Sequence, residues 1–298
     1  MNKSDSLKKL NSTASRGIFD YVIIVILIIN LIYFLLSSLL SGFPFVVSLL
    51  GYICTPISVI LGVYLYGRVE KYNFFSELKL KKCSLRVWIA GLLITFGTLF
   101  GLSELNNIFL SFLQKFGYNA PPITLPEKSV LNVSMVIIFV CLTPAIFEEI
   151  LMRGLITKGL IGAGKVFAVL VSGAMFSLFH MSPQQTIYQF IVGVLYSLII
   201  VSGGDYIITL TSHFINNLFI VLNEYFWKFN PSFELKTTLL ILGLISLGVG
   251  VFLLLFKNKN KDANIDDMIL MRKSFISKPS WGIIICIVFW VSNLVSYL

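Results

Sequence analysis

The chain has 298 residues, of which 57% are apolar, and its mean hydropathy is +0.89. One water-soluble core cannot bury that much hydrophobic surface, so the composition excludes an ordinary soluble domain and predicts a polytopic membrane protein. The net charge of +9 does not indicate nucleic-acid binding, because the basic residues are spread over the segments between apolar runs and form no single basic face.

Nine apolar runs are each about long enough to cross the hydrocarbon core of a bilayer, some of them only barely. They predict an all-α transmembrane helix bundle with about eight or nine spanning helices. We expect three parts: N-terminal helices with an inner loop and an outer amphipathic helix in residues 1–128, a helical core in 129–227, and C-terminal helices with a basic loop in 228–298. In chain order the runs are 18–40, 43–66, 87–102, 130–160, 165–181, 185–201, 206–226, 237–256 and 281–298.

The basic residues predict how the chain is oriented. With the N-terminus inside and alternating crossings, most of the 23 Lys and Arg fall on the inner side, which is the positive-inside pattern. We therefore expect a multi-pass protein of the cell membrane with a cytoplasmic N-terminus. The stretch containing Lys3, Lys8 and Lys9 precedes a long apolar run without a small-residue cleavage site, which is typical of a retained signal anchor.

Two segments between the early spans mix apolar and polar residues. The inner loop 68–86 places Phe74 and Leu78 among lysines and is expected to lie on the lipid surface. Residues 105–116 repeat apolar side chains at helical spacing opposite a polar side, which predicts an amphipathic helix at the outer interface or over the bundle. We interpret this helix as a packing element rather than a substrate lid.

The run that begins at residue 130 keeps a helical pattern to about residue 160. At about 1.5 Å per residue it would be roughly 45 Å long, so it must tilt, protrude or bend, and Pro144 is the expected place for a bend. An acidic pair follows one turn later. Glu149 and Arg153 are four residues apart and can form an ion pair, whereas Glu148 points about 100° away.

The two histidines of the chain also lie in predicted spans, where ionisable groups are costly and commonly functional. His213 and Asn217 are four residues apart and share a helix face, as do Phe176 and His180. If these faces meet Glu148, a carboxylate and an imidazole can activate water, while a second imidazole and an amide stabilise an oxyanion. This combination is suited to amide hydrolysis.

The depth of these groups tests whether they can meet. Counted at about 1.5 Å per residue from the inner ends of their helices, Glu148 lies roughly 18 Å deep, His180 roughly 22 Å and His213 roughly 12 Å. Helix tilts or shifted boundaries must therefore bring them to one level.

Three motifs in a fixed order resemble those of a known family. EEILMR at 148–153, FSLFH at 176–180 and HFINN at 213–217 are similar to the motifs of the CPBP or ABI family, the CAAX-processing and bacteriocin-processing intramembrane endopeptidases related to the Ras-converting CAAX protease. The resemblance covers about residues 144–217 and implies that 129–227 is the catalytic core.

The resemblance also implies roles for the individual residues. Glu148 and His180 would activate the attacking water, and His213 and Asn217 would stabilise the oxyanion. The supporting residues would be Glu149 and Arg153, which hold the site together, and Phe176, which we expect in the core rather than against substrate.

No cofactor is favoured, although zinc stays possible. Glu148, His180 and His213 could supply three ligands with water as the fourth, but the sequence has no H-E-x-x-H, and the family has been described both as metalloproteases and as glutamate-dependent enzymes. We favour the glutamate type.

The expected partners are the lipid bilayer and a peptide or protein substrate at the membrane. That substrate is a CAAX-like tail, a precursor of a peptide pheromone or bacteriocin, or a segment of a membrane protein. Two other functions stay open: bacteriocin self-immunity or a non-catalytic membrane scaffold that regulates a partner protein, and a proton-coupled transporter that uses the carboxylate and both imidazoles as a relay.

Overall fold

The computed structural model describes residues 10–122, 125–256 and 264–298, in which all regular structure is helical, as predicted. Lys3, Lys8 and Lys9 of the expected signal anchor, and residues 257–263 of the basic loop, lie outside the described residues. The main helices are α1 (Ser12–Leu39), α2 (Pro44–Glu70), α3 (Leu85–Gly101), α4 (Ser103–Gln114), α5 (Val130–Ala163), α6 (Lys165–Phe179), α7 (Thr186–Val201), α8 (Tyr206–Trp227), α9 (Phe233–Leu255), α10 (Ile265–Ile276) and α11 (Trp281–Ser296).

The helix lengths confirm a multi-pass membrane bundle. Within the described residues, 7 helices are long and apolar enough to cross a membrane, and α10 with α11, bent by 56°, would make up to 8. The seven include α3 and α4 as one span, and the predicted amphipathic segment is the α4 half of it. Helix α6 has 15 residues, which is fewer than a full crossing of the membrane needs. It ends at Phe179, just before His180.

Helix α10 was not predicted, because its stretch was assigned to the basic loop. It begins after Asn264, whose side chain accepts a hydrogen bond from the Asp266 N–H at 3.2 Å, and its first turn carries Asp266 and Asp267. Acidic side chains stabilise the positive end of a helix dipole. The Ser12 hydroxyl of α1 donates to the Met271 carbonyl at 2.8 Å, so α10 packs on the N-terminal helix.

The segment after α2 is tied to the bundle more closely than a surface loop would be. Phe74, which we expected on the lipid surface, is instead buried and stacks on Tyr72 with ring centroids 5.6 Å apart. The Leu78 carbonyl accepts a hydrogen bond from the Tyr206 hydroxyl at 2.7 Å. These contacts join the inner end of α2 to the start of α8.

Helix α5 is interrupted by two π-helical stretches, at Ile137–Leu142 and Ile150–Thr157. The α-helical turn between them, Thr143–Glu149, carries Pro144 and the acidic pair. Because proline has no N–H, it cannot bond to the carbonyl of Val140, four residues earlier. Single π-helical turns inside α-helices are frequent at functional sites.

Helices α6 and α7 lie in close contact along their length. A Cβ on Gly193 would lie 2.9 Å from the Gly173 Cα, so both positions require the smallest side chain. This close approach fixes His180, at the end of α6, against the rest of the core.

Candidate active site

The acidic pair of α5 points in two directions, and the Glu149 carboxylate faces the protein interior. Its Oε1 accepts a hydrogen bond from the Arg153 guanidinium at 3.0 Å and lies 3.0 Å from His213 Nδ1. Glu149 and Arg153 are both fully buried. The ion pair expected from their spacing is present, and it links α5 to the histidine of α8.

Two aromatic rings hold the Arg153 guanidinium. Its Cζ lies 4.2 Å from the ring centroid of Phe176 and 5.3 Å from that of Tyr196. Phe176 is fully buried and also lies edge-on to the His180 ring at 4.9 Å, so it belongs to the core, as expected. The contribution of Tyr196 was not predicted, and its only signal is an aromatic hydroxyl within the aliphatic stretch IVGVLYSLII.

His180 faces the second carboxylate. Its Nδ1 lies 2.8 Å from the carbonyl oxygen of Phe176. A carbonyl only accepts hydrogen bonds, so Nδ1 carries the proton, and in the neutral ring Nε2 is an acceptor. Nε2 lies 3.8 Å from Glu148 Oε2, too far for a direct hydrogen bond.

The chain after His180 is held by the C-terminal helix. Met181 has a left-handed backbone with φ 49°, which is strained for a residue other than glycine. The Asn293 amide of α11 donates to the Met181 carbonyl at 2.8 Å, and the Trp290 indole donates to the Thr186 hydroxyl at 2.7 Å. Sequence reasoning missed both contacts, since α11 lies more than a hundred residues away.

The two asparagines of the HFINN motif have different surroundings. Asn216 is buried, accepts a hydrogen bond from the Tyr188 hydroxyl at 2.7 Å, and donates to the Asn217 Oδ1 at 3.5 Å. Asn217 donates from Nδ2 to the Val140 carbonyl at 3.4 Å, the carbonyl that Pro144 cannot reach. An amide nitrogen has two N–H groups, so Asn217 keeps one for another acceptor.

Solvent access distinguishes the two carboxylates. The side chains of Glu148 and His180 are 10% and 15% exposed, whereas those of Glu149 and Arg153 are both 0% exposed. Glu148 Oε2 has no hydrogen-bond partner among the described residues. Oε2 itself is buried, so the exposed part of the Glu148 side chain lies on its other atoms, and the Glu149 and Arg153 side chains have no exposed part.

A hydroxyl cluster joins α5 and α6, which carry Glu148 and His180, to α7. Thr157 Oγ1 of α5 lies 2.7 Å from Ser172 Oγ of α6 and 3.2 Å from Ser197 Oγ of α7. All three side chains are buried. Hydroxyl contacts of this kind hold membrane helices in register, and no motif had pointed to them.

Three side chains of the site are the metal ligands that the sequence offers. Among the residues that the structure describes, no three His, Cys, Asp or Glu side chains are grouped so that they could hold a metal ion. In this conformation His213 Nδ1 is engaged by Glu149, and only Glu148 and His180 face each other. Glu148, His180 and His213 thus do not form a ligand set here.

A comparison with known families bears on the stretch that carries these residues. The family model described as type II CAAX prenyl endopeptidase Rce1-like matches residues 130–219. No match was found among curated proteins or among solved structures. The matched stretch includes all three motifs, so the resemblance read from them is confirmed. Over residues 130–219 the chain is therefore similar to the Rce1-like type II CAAX prenyl endopeptidases.

Proposed function

We propose that the protein is an intramembrane endopeptidase that hydrolyses a peptide bond of a membrane-associated protein or peptide. The family comparison implies a peptidase. The observation that carries the mechanism is the facing pair of Glu148 Oε2 and His180 Nε2, 3.8 Å apart. Two acceptors at this separation can both receive hydrogen bonds, of about 2.8 Å each, from one water molecule.

Such a water would be well placed for attack. Because it donates both hydrogens to Glu148 and His180, its lone pairs point away from them, toward an incoming carbonyl carbon. As the new C–O bond forms, one water proton passes to this pair, and the carbonyl becomes a tetrahedral oxyanion. When the C–N bond breaks, the same proton is returned to the leaving amine.

The oxyanion needs hydrogen-bond donors, which we assign to His213 and Asn217. The free amide N–H of Asn217 is one donor. Since His213 Nδ1 lies against the Glu149 carboxylate at 3.0 Å, the ring can donate from Nε2 only in its doubly protonated form. Glu149 and Arg153 hold that ring in place, and donors fixed in advance are worth more than mobile ones.

We favour a glutamate-type mechanism over a zinc-dependent one. The chemistry described for Glu148 and His180 is complete without a metal, since a base, a water and two donors account for every proton. Where zinc is bound, it would supply a more acidic water. No step above is assigned to it.

The substrate class and the membrane are part of the proposal. We propose the cell membrane, with the N-terminus in the cytoplasm, and a substrate that is a CAAX-like tail or a pheromone or bacteriocin precursor. Each of these presents an extended chain at the membrane surface.

The proposal is tested by comparing the peptides released by three membrane preparations. They carry the intact chain, Glu148→Gln, and Glu127→Gln, which makes the same change at an exposed residue in the segment before α5. Peptides that depend on the intact chain should persist with Glu127→Gln and vanish with Glu148→Gln. Identical peptides in all three would overturn the protease assignment, and a biological effect that survives Glu148→Gln would favour the scaffold.

A further inference from the structure

An apolar groove of about 700 Å³ runs between α2 and α5 and is closed at one end by the segment after α2. Its walls include Ile60 and Tyr64 of α2, Phe74 of the connecting segment, and Phe147 and Ile150 of α5. The groove lies outside the pair of Glu148 and His180 and has no part in the mechanism above.

The groove opens on the outer face of the bundle. Ile60 is 55% exposed and Tyr64 is 58% exposed, and both lie on a helix long and apolar enough to span the membrane. In a bilayer, side chains exposed on this face meet lipid and not water. The molecule that reaches the groove most easily is therefore a lipid.

The charged residues lie at one end of the groove. Arg68 and Lys71, at the end of α2, line it together with the apolar walls. The stretch 68–86 holds six Lys or Arg and two Glu, and neither Glu lines the groove. An apolar channel with cationic residues at one end matches a phospholipid with a negative headgroup. Basic pockets between membrane helices are known to hold such headgroups.

We propose that this groove is a binding site for one anionic phospholipid. The headgroup phosphate lies at Arg68 and Lys71, and an acyl chain runs past Ile60 to Phe147. A helix is about 10 Å across, so 700 Å³ would hold less than two of its turns, which argues against a partner helix. The volume lies within the range of about 300–1,000 Å³ that is common for small-molecule sites.

The position of the groove suggests what the lipid does. Phe147 and Ile150 flank Glu148 along α5, just where the second π-helical stretch begins. An acyl chain against them supports this part of α5 from the side opposite the core. Lipid binding itself does not depend on the proposed proteolysis.

The test measures lipid retention by the full-length protein. The protein is extracted from vesicles of equal parts phosphatidylglycerol and phosphatidylcholine, and native mass spectrometry counts the lipids that remain bound. The intact chain should retain more phosphatidylglycerol than phosphatidylcholine. Arg68→Gln should weaken that retention about tenfold, which is the order expected for one lost contact with a charged group.

Two further variants complete the test. Lys82→Gln removes the same charge from the same basic stretch, at an exposed residue that does not line the groove, and should change nothing. Ile60→Trp enlarges an exposed wall residue and should exclude the acyl chain. Equal retention of both lipids, or retention unaffected by Arg68→Gln and Ile60→Trp in proteins with intact melting temperatures, would overturn the site. A raised KM for peptide with unchanged lipid retention would assign the groove to substrate instead.

Discussion

Asn217 has two possible roles, and one pair of substitutions separates them. Its Nδ2 donates at 3.4 Å to the carbonyl of Val140, which lies four residues before Pro144. If this is the whole role, Asn217→Ala costs about 0.5–1.5 kcal/mol of stability, the net worth of a neutral hydrogen bond. If the second N–H also stabilises an oxyanion, kcat falls by about 10²–10³-fold, or about 2.7–4 kcal/mol of transition-state stabilisation.

Adding Pro144→Ala provides an N–H four residues after Val140, where proline has none. Proline in a helix interior costs about 3 kcal/mol relative to alanine, so the double variant should be at least as stable as the intact chain. Its kcat should stay as low as that of Asn217→Ala, because the second amide donor is still missing.

The assay pairs thermal unfolding with kcat for the peptide found by the membrane comparison, both in one detergent. Asn30→Ala is the control, because Asn30 makes the same kind of amide bond, to the Ile26 carbonyl at 2.8 Å, on an exposed part of α1. It should leave kcat unchanged. A double variant that regains both stability and rate would refute the oxyanion role.

Further predictions concern the ion pair, the loop after His180 and metal dependence. Arg153→Met leaves the buried Glu149 carboxylate without its cation, so the unfolding free energy should fall by about 3–5 kcal/mol. Thermal unfolding should show most of this restored when Glu149→Gln is added; a double variant as unstable as the single one would contradict a charge effect. Asn293→Ala should lower kcat about tenfold at nearly constant KM, because Met181 loses the donor that holds its φ of 49°. In a Met181→Gly background the same change should cost less, and an equal loss would contradict positioning of His180 through this residue. Chelation should leave the activity of the purified protein unchanged, whereas stoichiometric zinc and loss of activity on its removal would overturn the glutamate-type mechanism.

Local features of the fold and site could be predicted from the sequence. The apolar runs predicted the ends of their helices to within about four residues, except that α1 begins at Ser12, because hydropathy over a span is a sum of local contributions. The spacing of Glu149 and Arg153 predicted their ion pair, since residues four apart share a helix face. The same geometry predicted that Glu148 points away from that pair, whereas its position opposite His180 could not be predicted from helix spacing.

The depth of the groups could not be predicted, since it depends on contacts between helices. Helix α5 continues to Ala163, three residues beyond the expected end, which puts Glu148 about 22 Å from its inner end, as deep as His180. The start of α8 lies beside Lys158 of α5 and not beside the inner end of α5. The evidence is the distance of 4.0 Å between Asp205 Oδ2 and Lys158 Nζ. From this contact, Glu149 is about 13.5 Å along α5 and His213 about 12 Å along α8, so they come level.

Other features of the fold leave no periodic pattern in the amino-acid sequence. A π-helical stretch such as Ile150–Thr157 adds no residue type that a hydropathy pattern can register. The bond from Asn293 to Met181 joins two residues 112 positions apart, and a single sequence contains no sign of it. The hydroxyl cluster around Thr157 consists of small residues that also occur in ordinary apolar spans.

The fold gives the two neighbouring glutamates different surroundings, one suited to holding the site together and the other to the proposed chemistry. An ionised carboxylate inside a membrane protein must have its charge compensated or have access to water. The charge of Glu149 is compensated, since nitrogen atoms of Arg153 and His213 both lie 3.0 Å from its Oε1. The residue is fully buried. The nearest basic group to Glu148 is an imidazole 3.8 Å away, and its side chain keeps 10% exposure. The carboxylate with the weaker charge compensation is therefore also the one whose side chain keeps some exposure, and the proposed role of Glu148 as a general base requires both properties.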